Sequence, residues 1–373
     1  MPFLIVFFII FIFSPSLLGQ DAPLEKALAN YEKIAQKGGW PEIPAGPKIE
    51  PGLADARVAV LRERLRITGD LKKKKEVKKE LDLLDRDLED AIKIFQKRHG
   101  IVEDGLVGEG TRKALNVSVE DRISQIKVNL QRTHNLPPEL GPKYIMVHIP
   151  NYRLYVVENG KTVIDMRAIV GLPSWPTPLL STQVTSLVFN PTWHIPKNIM
   201  QKEIVGKIEK QADYLTKEGI KVYKTTETGR EEVDSSTIDW NQQDVLATHH
   251  FQQPPSAYNP LGKVKFIMPN KDDIYLHDTS SRKLFGRDTR SLSHGCIRIE
   301  KPIDLVTYLL QPDPEWDEEK IQATIKRGVE KHVKIPEAVP IYIIYQTAWV
   351  DPEGLVHFRP DVYHLDKKLL SDL

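Results

Sequence analysis

The residues with the most chemical potential gather in one stretch. Ser293-His294-Gly295-Cys296-Ile297-Arg298 holds the single cysteine, and His277-Asp278-Thr279 closes a strand-like run that begins at Ile274, nineteen positions upstream at His277. A cysteine attacks a carbonyl as the thiolate, whose formation at neutral pH needs a cationic or proton-accepting neighbour. An imidazole, with an unperturbed pKa of about 6.5, suits that role, provided a third group accepts its other N–H. A glycine directly before the nucleophile lets the backbone approach a substrate and frees amides to bind an oxyanion. The joint pattern reads as cysteine acyl transfer with Cys296 as nucleophile and a histidine as base. A rival reading takes His249, His250, His277, Asp278 and His294 as zinc ligands, but no H-E-x-x-H or comparable spacing supports it. A third is a non-catalytic wall-binding protein, which an intact His and Cys pair argues against.

These residues need a scaffold. From about Lys143 the apolar period is two: Tyr144 to Ile149, Arg153 to Glu158, Lys161 to Val170, Gln183 to Phe189, Lys263 to Met268, Ile274 to His277 and Ile341 to Tyr345 all read as strands. Asn159-Gly160 between two such runs is a hairpin signal, because both turn residues need positive φ. Residues 143–359 thus form a mainly β domain of catalytic size, with a helical insertion at about 197–218 and a helix at 302–310. Trp193, Ile195, Ile199, Met200, Ile204 and Tyr214 are expected to pack over the cleft or to form a small core of their own.

Upstream, Val58, Leu61 and Leu65, then Leu88, Ile92 and Phe95, recur at helical spacing, and Thr111 is placed to cap a third helix ending at Leu115. Residues 20–54 read as a helix and a linker, 55–117 as a small helical domain, 118–142 as a connecting helix, and 360–373 as a tail. The lysine-rich run at 72–80 reads as a solvated face. Met1 to Leu18 is almost wholly apolar, as in a secretory signal peptide cut near Gly19 or an uncleaved anchor, though no basic residue precedes it. The expected setting is therefore the periplasm or cell envelope, with membrane contact only through that segment. Lys and Arg total 52 against 51 for Asp and Glu, so no net positive field favours nucleic acid. One cysteine cannot form an internal disulfide.

The segment from His277 to Arg298 resembles the L,D-transpeptidases of the YkuD type, whose signature is a His, a spacer of about fifteen residues and Ser/Thr-His-Gly-Cys. Asn151 to Val156, Phe189-Asn190-Pro191-Thr192-Trp193-His194-Ile195-Pro196, Asn259-Pro260-Leu261-Gly262 and Thr347 to Asp351 look like the large Gram-negative subgroup. R-V-A-V-L-R-E-R-L, A-I-K-I-F-Q-K-R-H-G and D-G-L-V-G-E-G-T-R-K-A-L-N resemble a three-helix peptidoglycan-binding domain. The resemblance implies an α+β protein: a mainly β catalytic domain with a lid insertion at about 191–252, plus that helical domain. It implies a peptidoglycan transpeptidase that makes 3–3 cross-links from tetrapeptide stems with release of D-Ala, or an L,D-carboxypeptidase, or an enzyme using another amine acceptor. Cys296 is then the nucleophile and His277 the base, oriented by the carbonyl of Asp278. His294 shapes the loop or contacts substrate. Gly295 and Cys296 supply oxyanion amides, and Ser293 a loop hydrogen bond. Arg298 binds a stem carboxylate or braces the loop, and Trp193 contacts substrate. Expected partners are stem peptides, glycan and carbapenem-type inhibitors, with no metal or cofactor. The lysine-rich insert puts glycan binding by the helical domain in doubt.

Overall fold

The computed structural model describes residues 21–72, 81–134, 140–240 and 244–371. The apolar leader at 1–19 and all but Lys72 of the lysine-rich run lie outside the described residues. Among those described, no helix is long and apolar enough to cross a membrane.

Helix α1 (Asp21–Gln36) ends at Gly38 and Gly39, both in the left-handed region that only glycine enters freely. An extended arm follows and buries Ile43 and Ile49 in the core of α2 (Val58–Ile67), α3 (Arg86–Arg98) and α4 (Glu109–Leu115). Asn116 clamps the arm through both halves of its amide, each 2.9 Å from the backbone of Ile43. Asp85 caps α3 by accepting the Leu88 N–H at 2.9 Å. Thr111 does not cap α4: Gly108 takes that place, and the buried Thr111 hydroxyl accepts from Gln96 Nε2 instead. Then comes α5 (Val119–His134).

The β region opens with β1 (Lys143–His148), β2 (Arg153–Glu158), β3 (Lys161–Gly171) and β4 (Leu180–Phe189). Asn159 and Gly160 join β2 to β3 with φ of 50° and 75°, the two positive values that such a hairpin turn requires. An insertion follows, made of β5 (Trp193–Ile195), α6 (Lys197–Ile199), a π turn (Met200–Ile204), α7 (Val205–Lys210), α8 (Tyr214–Lys217), β6 (Lys221–Thr226), β7 (Gly229–Val233), α9 (Val245–Thr248) and β8 (His249–Gln253). After it come β9 (Val264–Ile267), β10 (Leu276–His277), β11 (Ser291–Ser293), β12 (Ile297–Ile299), α10 (Pro302–Leu310), α11 (Glu318–Lys326), β13 (Lys331–Ile344), β14 (Ala348–Val350), β15 (Val356–Phe358) and α12 (Leu365–Leu370).

Strand pairing runs β3–β12–β10–β9–β4–β13–β1–β2, and β2 returns to β3, so the sheet closes on itself; β11 adds to β3 in parallel. The β1–β13 and β10–β12 pairs are parallel too. Leu154, Met166, Phe189, Phe266 and Ile341 fill the interior, and α10 covers it with Leu305 and Leu309. The helical stretch expected at about 197–218 is α6, the π turn, α7 and α8, and the wider insertion adds a sheet of order β5–β8–β6–β7. Its own core includes Met200, Ile204, Leu215, Val222 and Phe251.

A third core joins the two ends of the chain, with α1 and α5 packing on the β14–β15 hairpin through Tyr31, Ile126 and Phe358. The helical unit is seated on the same hairpin. Arg98 Nη1 donates to the Val356 carbonyl at 3.1 Å, and Arg359 Nη1 to the Arg98 carbonyl at 2.9 Å.

Candidate active site

Three neighbouring strands assemble the site by simple alternation. In register, Leu276 on β10 faces Ile297 on β12 and Phe266 on β9, and all three point into the barrel core. Side chains one position away must point to the opposite face. Those are Tyr275 and His277, Cys296 and Arg298, and Lys265, and all five line one cavity of about 740 Å³. The insertion supplies the opposite wall with Trp193, Ile195 and Ile199, while Met200 and Ile204 turn inward to its own core. It therefore lies over the cleft and also carries a core. Asn259 ties down both of its ends: fully buried, its amide donates to the Pro191 carbonyl at 2.9 Å and to the Gln253 carbonyl at 3.0 Å.

Cys296 is half-buried at the cavity floor, its Sγ 3.9 Å from the Asp273 carbonyl. Burial pushes its pKa up, against the pull of the Tyr275 backbone and hydroxyl and of the Lys265 and Arg298 charges. His277 is buried, and its Nδ1 lies 2.5 Å from the carbonyl oxygen of Asp278. A carbonyl only accepts, so Nδ1 carries the proton and Nε2 keeps its lone pair. Burial first, and then the nearby Arg298 charge, hold the His277 pKa down to about 3. At neutral pH the site thus pairs a protonated thiol with a neutral imidazole base, not a thiolate with an imidazolium.

The carboxylate of Asp278 accepts the Lys263 N–H at 2.9 Å and Arg282 Nη1 at 3.0 Å, which fixes the loop whose carbonyl holds His277. Gly262 makes room for it: a Cβ there would lie 2.3 Å from Asp278 Oδ2.

The nucleophile loop is braced from within. Ser293 Oγ donates to the Cys296 carbonyl at 2.5 Å and accepts the Gly295 N–H at 3.3 Å. Thr177 Oγ1 donates to the Gly295 carbonyl at 2.7 Å and accepts the Gly171 N–H at 2.8 Å. Gly295 has φ of 108°, where a side chain would be strained. Of the two amides expected to face an oxyanion, that of Gly295 is already engaged by Ser293. The Cys296 N–H makes no hydrogen bond among the described residues.

His294 lines the same cavity but bonds to the insertion rather than to Cys296 or His277. Its Nε2 lies 2.5 Å from Glu203 Oε1 on the π turn, and its ring meets Trp175 edge-on at 4.8 Å. Lys202 from the same turn caps the Trp175 ring at 4.4 Å. His249 and His250 stand on β8, bonded to the Val245 carbonyl and to Thr225. Among the described residues, no group of three or more His, Cys, Asp or Glu side chains is arranged to hold a metal ion.

Lys265, Tyr275, Trp175, Glu203, Gly262 and Asn259 were not singled out by role from the sequence. Only Lys265 left a local signal: it is the one charge in Val264-Lys265-Phe266-Ile267, a strand with one face in the core.

Residues 142–325 match the YkuD family, described as "L,D-transpeptidase catalytic domain", and residues 54–115 match "Putative peptidoglycan binding domain". The chain is 31% identical over 253 residues to a "Putative L,D-transpeptidase" of Haemophilus influenzae, covering 68% of this chain and 50% of the relative. It thus spans about half the length of that curated relative. Solved structures with weaker likeness include an L,D-transpeptidase from Mycobacterium smegmatis (12% identity, TM-score 0.26, 54% of this chain and 58% of that one). Another is from Stackebrandtia nassauensis (12% identity, TM-score 0.28, 80% and 97%). Residues 142–325 are thus a YkuD-type L,D-transpeptidase catalytic domain by their family match, and the protein is α+β, with a peptidoglycan-binding-type helical domain before a mainly β catalytic one.

Proposed function

We propose that this protein is an exported peptidoglycan L,D-transpeptidase that works by cysteine acyl transfer. The observation that carries the reading is the placement of His277 on β10 and of Cys296 at the head of the adjacent parallel strand β12, both lining one open cavity.

The donor is a tetrapeptide stem, attacked at the carbonyl between its third, diamino residue and the terminal D-Ala. As the S–C bond forms, the Sγ proton passes to Nε2 of His277, and the Asp278 carbonyl steadies the resulting imidazolium. The Cys296 N–H receives the oxyanion. Collapse of the intermediate breaks the C–N bond, and His277 returns its proton to the departing amine of D-Ala. A thioester remains on Cys296. The side-chain amine of a neighbouring stem then attacks it, His277 takes that proton, and the thiolate leaves and is reprotonated. The product joins two third-position residues. Cover by the insertion limits the competing attack by water, which would make the enzyme an L,D-carboxypeptidase.

The helical domain is assigned to holding glycan near the cleft, and carbapenem-type β-lactams are expected to acylate Cys296. No step calls for a metal or a cofactor.

The test is incubation of the purified chain with tetrapeptide-rich sacculi, followed by mass analysis of the muropeptides. New dimers linked between third residues, with equimolar free D-Ala, are expected. Unchanged muropeptides would refute the reading, and D-Ala release without dimers would replace transpeptidation by carboxypeptidation.

A further inference from the structure

Two cations in the catalytic cavity lack an anionic partner. Register places Lys265, His277 and Arg298 side by side on β9, β10 and β12, so the two charges flank the base. Lys265 Nζ sits 3.8 Å from the centre of the Tyr275 ring and makes no hydrogen bond among the described residues. Arg298 makes none either, and its Nε is fully buried and unpaired. Glu203, Asp273 and Glu330 act on them through space, yet none bonds to either. Elsewhere in the described residues, buried Arg98 is met by the Asp70 carboxylate on two sides.

Burying an unpaired cation is costly, and two that face one cavity call for an anionic guest. Neighbouring strands lie about 4.8 Å apart, so backbones two strands apart are separated by roughly 10 Å. That span suits two carboxylates on opposite sides of one peptide bond.

Resting on the transpeptidase reading, we propose that Lys265 and Arg298 are positioning residues that each hold one carboxylate of the donor, on either side of the carbonyl that Cys296 attacks. One carboxylate belongs to the leaving residue and the other to the side chain of the acyl residue. The pair selects donors that are acidic at both places and sets the scissile carbonyl over Sγ, while His277 stays between them as a neutral base.

The test uses the full chain and four synthetic donor tetrapeptides: both carboxylates free, either one amidated, and both amidated. Release of the terminal residue gives kcat/KM for wild type, Lys265→Met, Arg298→Met, Lys265→Arg and Arg298→Lys. For wild type, each amidation is expected to lower kcat/KM about tenfold or more, the scale of a lost charge-assisted hydrogen bond. Each Met variant should lose as much on the free donor and become indifferent to one amidation only, and the charge-keeping variants should recover part of the loss. Wild type turning over all four donors within about twofold overturns the proposal, and needs no variant to fold. So does a Met variant whose loss is equal on every donor, the mark of a structural role. A folded wild type that releases nothing from the free donor refutes the transpeptidase reading itself, and the assignment with it.

Discussion

His294 Nε2 and Glu203 Oε1 lie 2.5 Å apart, so the histidine next to the nucleophile is bound to the insertion that covers the cleft rather than to the thiol. This contact and the Lys202–Trp175 pair latch the π turn onto the catalytic loop. Both ionisable partners are partly exposed, so the pair is worth about 1 kcal/mol at most. Glu203→Ala is expected to raise KM for stem peptides about two- to fivefold and leave kcat nearly unchanged, as steady-state kinetics will show. An equal fall in kcat would instead place His294 in the chemical steps.

The protonation states give a pH signature. With the Cys296 pKa raised by burial, the thiol should react with iodoacetamide along a curve whose midpoint lies above that of free cysteine, about 8.5. A reactive plateau extending down to pH 5 would mean a thiolate–imidazolium pair. Stability follows by linkage. His277 and His148 are both held down to about 3, against about 6.5 when unfolded. Between those values the unfolded chain binds more protons, so their contribution is complete above about pH 6.5 and is lost as pH falls toward 3. Thermal melts of wild type and His277→Gln should therefore differ less in acid sensitivity on the variant's side, with the wild type losing more Tm between pH 7 and pH 4.

Gly262 has a positive φ of 62°, and the space beside it is filled by the Asp278 carboxylate. Gly262→Ala must shift Asp278 and hence the carbonyl that orients His277. Displacements of about 1 Å at a catalytic group can cost roughly a hundredfold, so kcat should fall on that order while the protein stays folded. Far-UV circular dichroism together with D-Ala release measures both, and full activity would show that the Asp278 loop does not position the base.

Asp70 and Arg98 form a buried ion pair with N–O distances of 2.5 and 2.6 Å. Arg98 also reaches the Val356 carbonyl, so the pair supports the junction between the helical unit and the β14–β15 hairpin. Asp70→Asn leaves an uncompensated buried charge, and denaturant unfolding should show a loss of about 3 kcal/mol or more. A loss under about 1 kcal/mol would show that the junction does not depend on the pair.

Much of this arrangement was legible beforehand because it rests on local rules. Asn159-Gly160 announced its hairpin through the need for two positive φ values. The run Ile274 to His277 and the Ser293 to Cys296 motif singled out one cysteine and two candidate histidines by residue type, and only the family signature favoured His277 over His294. The first half of β13 was not legible. Pro336 and Glu337 break its pattern, and they are tolerated because the ladder to β4 shifts register between Lys334 and Val339. The β6–β7 hairpin was hidden because most of its residues are exposed, Val222 alone is buried, and no apolar alternation shows. Partners set by long-range packing left no trace: nothing near His294 points to Glu203, 91 positions away. Nor does anything near Lys265 show that it will flank His277, since that needs the order of β9, β10 and β12.

The central claim is that Cys296 carries the acyl group. Mass measurement of the intact protein, quenched in acid during turnover of a tetrapeptide donor, tests it most directly. A single adduct equal to the donor minus one D-Ala, mapped to Cys296, removed by hydroxylamine and absent from Cys296→Ala, is the expected result. Turnover with no adduct, or D-Ala release that survives in Cys296→Ala, would contradict the account.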